Sequence, residues 1–284
     1  MMTGFQRLTM AAYRAAPAIA RSDLWRFWQA PTPQAYRWEA DLPAPLPYDV
    51  PEHYRHGTAL HLYFLEPLEY SRLTVTDLEN KSKGEGVRER VKSFAAEVNE
   101  LALLVVAPGF QLLLDDLNVL LHDGHHETAR AIIEDPDRTV ELSGFWQDEE
   151  TGCWLKIRPD LIGGSGRVWD LKMEKDLRKP FSTHLFDRGY HWQAAMILDG
   201  LTAITGIPHE DFGNVVFYAP KEGPVDIGVY RYPQEAIDIG RERYRAALRQ
   251  YAVCQADDVW PGQPDEEQEI VVPNYLKRRK IYDY

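Results

Sequence analysis

The chain has 284 residues, of which 44% are hydrophobic and 12% aromatic, so it can build a substantial core in one large or two small domains. Its formal net charge of −12 argues against a protein that coats DNA non-specifically, but it leaves room for a local basic channel. The sequence shows neither an apolar segment of membrane-spanning length nor a signal-peptide pattern, which predicts a cytoplasmic protein with no membrane partner. The two cysteines exclude a disulfide framework and a four-cysteine zinc or iron–sulfur site.

Residues 1–50 predict an N-terminal arm that is rich in proline toward its end. A Ser-Asp pair at residues 22–23 can cap a short apolar helix, after which six prolines between residues 31 and 51 prevent long regular elements. We expect this arm to wrap onto a main domain of residues 51–256, which is followed by a C-terminal tail of residues 257–284.

Residues His53–Leu65 form a densely apolar segment, which predicts a buried helix. His61 lies in its middle, and a buried neutral imidazole needs a partner. The commoner partner of such a histidine is a carbonyl oxygen in the core. The alternative is a metal ion held together with acidic side chains from strand ends, and the residues alone leave both alternatives open.

A charged stretch follows at residues 77–100, with a glycine-rich tip and then a predicted helix. Its lysines and arginines could contact phosphates, but its glutamates make a solvated helix face an equal alternative. The next predicted elements are a short strand within residues 101–107 and a helix over residues 111–121. The three histidines at residues 122–126 are expected to end that helix in a turn, not to bind zinc.

Consecutive strands are predicted between residues 139 and 172. Thr139–Gln147 should be a strand that turns into a second strand ending at Asp160. Three glycines then form a short turn that leads into a further strand over residues 167–171.

Asp170 and Lys172 share one side of this last strand, because strand side chains alternate, while Leu171 points into the core. The Asp160 and Asp170 carboxylates then lie at the mouth of one hairpin with an ammonium group. Facing carboxylates repel unless a proton or a cation lies between them, and short acidic side chains suit Mg²⁺ or Mn²⁺. Such a metal could activate water, and Lys172 could orient that water or stabilise charge on phosphorus. The plain alternative is a solvated polar face on an edge hairpin.

Cations that follow Lys172 lie nearer to this proposed centre than any others in the sequence. The best candidates for a phosphate channel are Lys175, Arg178, Lys179 and Arg188. A helix from residue 188 to about residue 205 places Tyr190 and Gln193 on one face, where core packing is the more frequent role for a tyrosine.

The C-terminal half completes the predicted fold. Strands are expected at residues 212–219 and 226–232, and a long helix at residues 233–256, which gives a central sheet of about four to six strands. The sequence has no internal repeat and no glycine-rich nucleotide loop, so ATP use is not indicated.

The pattern Pro-Asp-x9-Asp-x-Lys at residues 159–172 resembles the signature of PD-(D/E)XK nucleases. Three further phrases narrow the resemblance, and they lie at Tyr54–Pro67, Glu141–Asp160 and Gly189–Ala195. They are similar to RecE-type exodeoxyribonucleases, the exonuclease VIII-like enzymes of phage and prophage recombination. The likeness covers most of residues 20–275. It implies an α/β fold with a central mixed sheet flanked by helices, in a bacterial protein of phage or prophage origin.

The resemblance also implies roles for individual residues. Catalytic roles fall to Lys172, Asp160, Asp170, Glu141 and Gln193. Metal ligation falls to His61, Asp160, Asp170 and the Leu171 carbonyl, which would hold one or two Mg²⁺ ions, with Mn²⁺ as a substitute. An ordinary surface position is an equal alternative for Glu141. Contacts with DNA are expected from Lys175, Arg178, Lys179, Arg188 and Tyr190. Some relatives carry a tyrosine four residues after the glutamine, where this chain has Ile197.

The activity that the resemblance implies is processive 5′-to-3′ degradation of one strand from a double-stranded DNA end. The remaining 3′ single strand would pass to a single-strand annealing recombinase, and the enzyme would form a homo-oligomeric ring around DNA. Two other functions stay open: a structure-specific or restriction-type endonuclease with the same metal centre, and a non-catalytic DNA-binding assembly protein.

Overall fold

The computed structural model describes residues 2–42, 52–76, 104–106, 108–175, 180–220 and 222–272. Its helices are α1 (Met10–Ala15), α2 (Arg21–Gln29), α3 (Pro33–Ala40), α4 (Glu52–Leu65), α5 (Pro67–Leu73), α6 (Pro108–His122), α7 (Glu127–Ile133), α8 (Phe181–Asp187), α9 (Tyr190–Thr205) and α10 (Gln234–Asp257). Its strands are β1 (Gly4–Gln6), β2 (Thr74–Thr76), β3 (Leu104–Val106), β4 (Thr139–Val140), β5 (Ser143–Gln147), β6 (Trp154–Ile157), β7 (Leu161–Ile162), β8 (Val168–Glu174), β9 (Phe212–Tyr218) and β10 (Asp226–Arg231).

A five-stranded sheet in the order β10-β9-β8-β7-β4 forms the centre of the fold. Strands β8 and β9 run parallel, while the other neighbours run antiparallel, so the sheet is mixed. In the parallel pair, Asp170 lies opposite Asn214. The predicted α/β class, with helices around a central mixed sheet, is confirmed.

Apolar side chains of the strands point alternately to the two faces of this sheet. Both faces are therefore apolar, and helices cover both of them. Val216 of β9 points into a core that contains Trp192 of α9 and Tyr244 of α10. The next residue, Phe217, points into the opposite core, where its ring stacks on Phe64 of α4 with the centroids 4.5 Å apart. The predicted helix at His53–Leu65 is therefore observed as α4. It is buried on one face only, because its first turn, with Tyr54 61% exposed, lies at the surface.

A second sheet, in the order β1-β5-β6, adjoins the first where two segments of the chain change sheet. The prediction of an unbroken strand over Thr139–Gln147 is wrong, as is that of a strand running to Asp160. The first segment breaks after β4 because Glu141 has a φ of 50°, outside the extended region. The second breaks after β6 at Pro159, which lacks the N–H group of a ladder hydrogen bond. The Glu141 N–H donates to the Asp160 carbonyl at 3.1 Å across this kink.

The N-terminal segment is held to the second sheet by a buried lysine. Strand β1 pairs with β5, and the ammonium of Lys156 on β6 caps the end of α1. It donates to the carbonyl oxygens of Tyr13, Arg14 and Ala16 at 3.1, 3.1 and 2.9 Å. After α10, the ring of Trp260 packs against Tyr36 of α3 with the centroids 6.0 Å apart.

Some of the predicted features lie outside the part of the chain that the structure describes. The charged stretch 77–100 and the side chains of Arg178 and Lys179 lie outside the described residues. The division of the chain at residues 50 and 256 stays a prediction. Within the described part of the chain, no helix combines the length and the apolar character that crossing a membrane requires.

Candidate active site

Polar groups from four parts of the chain meet at the kink between the two sheets. Helix α4 supplies His61, and the two kinked segments supply Glu141 and Asp160. Nδ1 of His61 lies 3.4 Å from Oε1 of Glu141, and its Nε2 lies 3.5 Å from Oδ2 of Asp160. One donor atom from each of these side chains lies within 4.8 Å of the others, a spacing that allows all three to bind one metal ion.

The main chain of Leu171 forms the fourth part of this cluster, because the antiparallel strand β7 begins only at Leu161. Pairing of β7 with β8 stops at Trp169, so the main-chain groups further along that edge are directed to side chains. The Leu171 N–H donates to Oδ2 of Asp160 at 2.7 Å, and the Leu171 carbonyl oxygen lies 3.2 Å from Nε2 of His61. The Leu171 side chain points into the core, as strand alternation predicts.

The charges in this cluster are strongly coupled because the groups are buried. Burial and the negative charge of Asp170 raise the pKa of Asp160 to about 8. Burial alone would lower the pKa of His61, but the charge of Asp160 and the hydrogen bond with Glu141 raise it to about 9. Without a cation, the cluster therefore keeps protons that free side chains would lose. An imidazole nitrogen, carboxylate oxygens and a carbonyl oxygen form a donor set that fits Mg²⁺ or Mn²⁺.

Glu141 is held in place by Arg158, which the sequence did not single out. Nε of Arg158 donates to Oε2 of Glu141 at 2.6 Å, and the two side chains are only 9% and 7% exposed. The same guanidinium donates to the Leu8 carbonyl and the Ser143 hydroxyl at 2.8 and 2.9 Å. Burial would raise the pKa of Glu141, but His61 and Arg158 lower it below its ordinary value. Since Arg158 occupies Oε2, Oε1 stays directed toward His61.

Asp170 lies beside this cluster but takes part in a second, buried network. Its Oδ1 accepts from Nε2 of Gln193 at 2.5 Å. Its Oδ2 accepts from Nδ2 of Asn214 at 2.9 Å and lies 2.5 Å from Nζ of Lys172. The Tyr232 hydroxyl donates to Oδ1 of Asn214 at 2.6 Å. Asp170, although predicted as a metal ligand, is thus not one of the three side chains whose donor atoms converge.

Lys172 lies between the Asp170 carboxylate and an aromatic ring. Its Nζ lies 4.6 Å from the centre of the Tyr190 ring and donates to Oε1 of Gln193 at 3.2 Å. Burial alone would lower the pKa of Lys172, but the charges of Asp170 and Asp160 raise it above its ordinary value. The ammonium is therefore protonated near neutral pH, where it can stabilise negative charge.

A family model described as a PDDEXK-like domain of unknown function (DUF3799) matches residues 53–270, which contain both networks. This chain belongs to that PDDEXK-like family. The predicted PD-(D/E)XK relationship is confirmed at this level, whereas the narrower RecE-type assignment stays a prediction.

The PDDEXK-like chain also shares its fold with a solved structure, that of a protein from Eubacterium rectale described as a candidate exonuclease. The TM-score is 0.56 at 12% sequence identity, over 97% of this chain and 100% of the other. A second structure, that of SSO0001, gives a TM-score of 0.27 at 14% identity over 72% of this chain and 93% of the other, too low to support a shared fold. No curated protein matches the sequence.

In the PDDEXK-like domain, the residues predicted to contact DNA differ in their surroundings. Lys175 is exposed just after β8. Arg188 is 47% exposed, but it donates to the buried Glu174 carboxylate at 2.6 Å and to the Tyr190 hydroxyl at 3.2 Å. Tyr190 also stacks on Phe181, with the centroids 6.2 Å apart. Contact with DNA by any of these residues stays a prediction, as it does for Arg178 and Lys179.

The PDDEXK-like sequence contains a signal for two residues that hold the carboxylates of the site in place. Asn214 is a polar residue within the apolar strand Phe212–Tyr218, and a buried amide needs partners. Arg158 lies two residues before Asp160, directly after the strand Trp154–Ile157, in which Lys156 is the single charged residue. Their partners lie far away in sequence, so no local pattern could have named Asp170 or Glu141 as the groups that they hold.

Proposed function

We propose that this protein is a Mg²⁺-dependent DNA exonuclease, in which Mn²⁺ can substitute. The observation that carries the proposal is the convergence of His61, Glu141 and Asp160 beside the buried pair of Asp170 and Lys172. The first group fits a divalent cation, and the second places a positive charge next to it. Hydrolysis of a phosphodiester uses both: a means to activate water, and stabilisation of the charge that develops on phosphate.

Each residue then has a defined task in the proposed reaction. His61, Glu141, Asp160 and the Leu171 carbonyl would hold the divalent ion, which supplies an activated water and neutralises phosphate charge when bound. Lys172 stabilises the developing charge, because its ammonium stays protonated.

Two residues complete this proposed machinery. Asp170 would join the ligands through an oxygen that accepts from Lys172 or Gln193 in this structure. Gln193 bridges Asp170 and Lys172 through the two ends of its amide, which keeps the carboxylate and the ammonium together.

Two observations support action from DNA ends. The Eubacterium rectale protein with the same fold is described as a candidate exonuclease, and the sequence phrases resemble RecE-type exodeoxyribonucleases. We therefore extend the proposal to 5′-to-3′ degradation of one strand of linear duplex, which leaves a 3′ single strand for an annealing recombinase. We further propose that subunits form a ring around the duplex. Basic side chains of several subunits would then line the central channel, although each chain has a net charge of −12. The mass of the assembly in solution tests the ring.

Linear duplex DNA with a label and a block at chosen ends tests the activity. In Mg²⁺, we expect release of nucleotides from free 5′ ends, and none when both 5′ ends are blocked or when EDTA is present. Asp170→Ala and Lys172→Ala should abolish this release while the thermal melt still shows a folded protein. Asp238→Ala, which changes an exposed aspartate on α10, is the matched control and should keep the parental rate.

Three other outcomes of these assays would contradict a 5′-to-3′ exonuclease. Cleavage of a covalently closed circle as fast as linear DNA would indicate an endonuclease of the same superfamily. Metal-independent DNA binding without any hydrolysis would indicate a non-catalytic assembly protein. Release of nucleotides from the 3′ ends of DNA whose 5′ ends are both blocked would reverse the proposed polarity.

A further inference from the structure

An arginine from the N-terminal segment reaches the proposed active site. Arg21 is the first residue of α2, and its NH2 donates to Oε1 of Gln193 at 3.3 Å. The family match begins at residue 53, so it assigns no role to this residue. Gln193 Oε1 therefore accepts from two cations, Arg21 and Lys172.

The chemistry of these partners fixes the orientation of the Gln193 amide. Arg21 and Lys172 can only donate hydrogen bonds, and an ionised Asp170 can only accept them. The oxygen must therefore face the two cations, and the Nε2 group must face Asp170, where it donates at 2.5 Å. A flipped amide would set its NH2 group against two cations and its oxygen against a carboxylate.

Helix α2 is anchored firmly to α9, the helix that carries this glutamine. Oδ2 of Asp23 accepts from the Ala20 N–H at 2.9 Å, which fixes the start of α2. One turn further on, the ring of Trp25 packs edge-on against Trp192, with the centroids 5.2 Å apart. The same ring covers Gly189, where an added Cβ would lie 2.4 Å from a ring carbon. The start of α2 is thus held close to the start of α9.

The Arg21 side chain is partly buried, so its charge is partly removed from water. Burial lowers the pKa of Arg21, although the charge of Asp170 opposes that effect. A partly buried cation is stabilised by partners that accept its hydrogen bonds, and the partner observed for Arg21 is the Gln193 amide oxygen.

We propose that Arg21 is a positioning residue, which holds the Gln193 amide in its single orientation while Lys172 turns toward the phosphate of the substrate. This inference rests on the nuclease function proposed above. Lys172 must give up partners in order to reach a phosphate, and Arg21 is the donor that then remains on the amide oxygen. The N-terminal segment, although outside the matched family domain, is thereby part of the active site.

A double-mutant cycle between Arg21 and Gln193 tests this proposal. Arg21→Ala should lower kcat about ten-fold, the effect of losing one hydrogen bond to a charged group, with KM for DNA unchanged. Arg21→Lys should restore part of the rate. Because Arg21 acts through the amide, Arg21→Ala combined with Gln193→Ala should be no slower than Gln193→Ala alone. Arg26→Ala, on the same helix and 53% exposed, is the control and should keep the parental kcat.

Two kinetic outcomes would overturn the positioning role. If the losses from the two single variants multiply in the double variant, Arg21 acts independently of Gln193. If Arg21→Ala raises KM and leaves kcat unchanged, the guanidinium contacts DNA and does not position the amide.

A second measurement does not depend on nuclease activity. The side-chain amide NMR signal of Gln193, identified by its loss in Gln193→Ala, should shift in Arg21→Ala and stay in place in Arg26→Ala. An unchanged signal in Arg21→Ala overturns the positioning role even if the protein degrades DNA. A shifted signal in a protein without metal-dependent hydrolysis overturns the proposed function instead, since it leaves the contact intact.

Discussion

Asn214 holds Asp170 by two hydrogen bonds across the parallel strands β8 and β9. Its Nδ2 group donates to the main-chain oxygen of Asp170 at 3.0 Å and to the carboxylate Oδ2 at 2.9 Å. Asn214 is fully buried, and Asp170 is 1% exposed. The place of this proposed catalytic carboxylate therefore depends on an amide 44 residues later in the chain.

Asn214→Ala should destabilise the protein by about 1–3 kcal/mol, because it removes two hydrogen bonds that Asp170 accepts and leaves the Tyr232 hydroxyl without its buried acceptor. Urea unfolding at equilibrium measures this loss. Asn118→Ala, at a half-buried position on α6, should change the free energy of unfolding by less than about 0.5 kcal/mol. Equal losses in the two variants would contradict a special role for the amide at residue 214.

Arg158→Ala should cost more, about 3–5 kcal/mol, because it removes the cation that holds Oε2 of the buried Glu141 carboxylate and leaves His61 as its remaining partner. Urea unfolding in the presence of EDTA measures the effect without help from a bound ion. Arg249→Ala removes a 56% exposed partner of Glu150 and should cost at most about 1 kcal/mol. Adding Glu141→Gln to Arg158→Ala should recover stability, and a further loss in that double variant would count against the charge explanation.

Metal-free protein should become less stable as pH rises from about 4 to about 9. Asp160 and His61 both have pKa values above those of free side chains, 3.8 and 6.5, so the folded state binds protons that the unfolded chain has lost in this range. Thermal melts in EDTA across this pH range measure the effect. Asp160→Asn should flatten the pH dependence, and a dependence that is unchanged in this variant would locate its source elsewhere.

Binding of Mn²⁺ should release protons and tighten as pH rises, because the ion must displace the protons held by this cluster. Calorimetric titration in two buffers of different ionisation enthalpy measures the number of protons released. His61→Ala should weaken binding strongly, whereas His122→Ala, at a 42% exposed histidine, should leave it unchanged. Equal Mn²⁺ affinity in the parent and His61→Ala would remove His61 from the ligand set.

Lys156→Met should loosen the N-terminal segment. The buried ammonium of Lys156 bonds three carbonyl oxygens at the end of α1, and a thioether leaves all three without that donor. We expect faster amide hydrogen exchange in residues 10–20 and, through Arg21, a lower rate of DNA degradation. Lys175→Met, at an exposed lysine, is the control for exchange in the same residues. Unchanged exchange in Lys156→Met would show that the other contacts of the segment, such as the pairing of β1 with β5 and the packing of Trp25 on Trp192, hold it without the lysine.

The sequence predicted those features that depend on periodicity. Alternation along a strand placed Asp170 and Lys172 on one side and Leu171 on the other, and the structure has this arrangement. The apolar pattern around His61 predicted a helix, with a carbonyl oxygen or a metal ion as the partner of the imidazole. The Leu171 carbonyl oxygen lies beside His61, and so do two carboxylates that could hold a metal ion with it.

Features that depend on tertiary contacts could not be predicted in the same way. Residues 139–143 alternate polar and apolar side chains, as an unbroken strand would. Only the positive φ of Glu141 reveals that the chain changes sheet here. The contact between Arg21 and Gln193 joins residues 172 positions apart, so no local pattern could indicate it. Pairs of this kind become visible only when the chain is folded.

The late start of β7 at Leu161 has a consequence for how this site can change during evolution. Two of its contacts, the hydrogen bond to Asp160 and the oxygen beside His61, come from the peptide groups of Leu171 and not from its side chain. Every amino acid except proline supplies both groups. Position 171 is therefore free to vary as far as the neighbouring core tolerates, and mutation to other apolar residues preserves these two contacts.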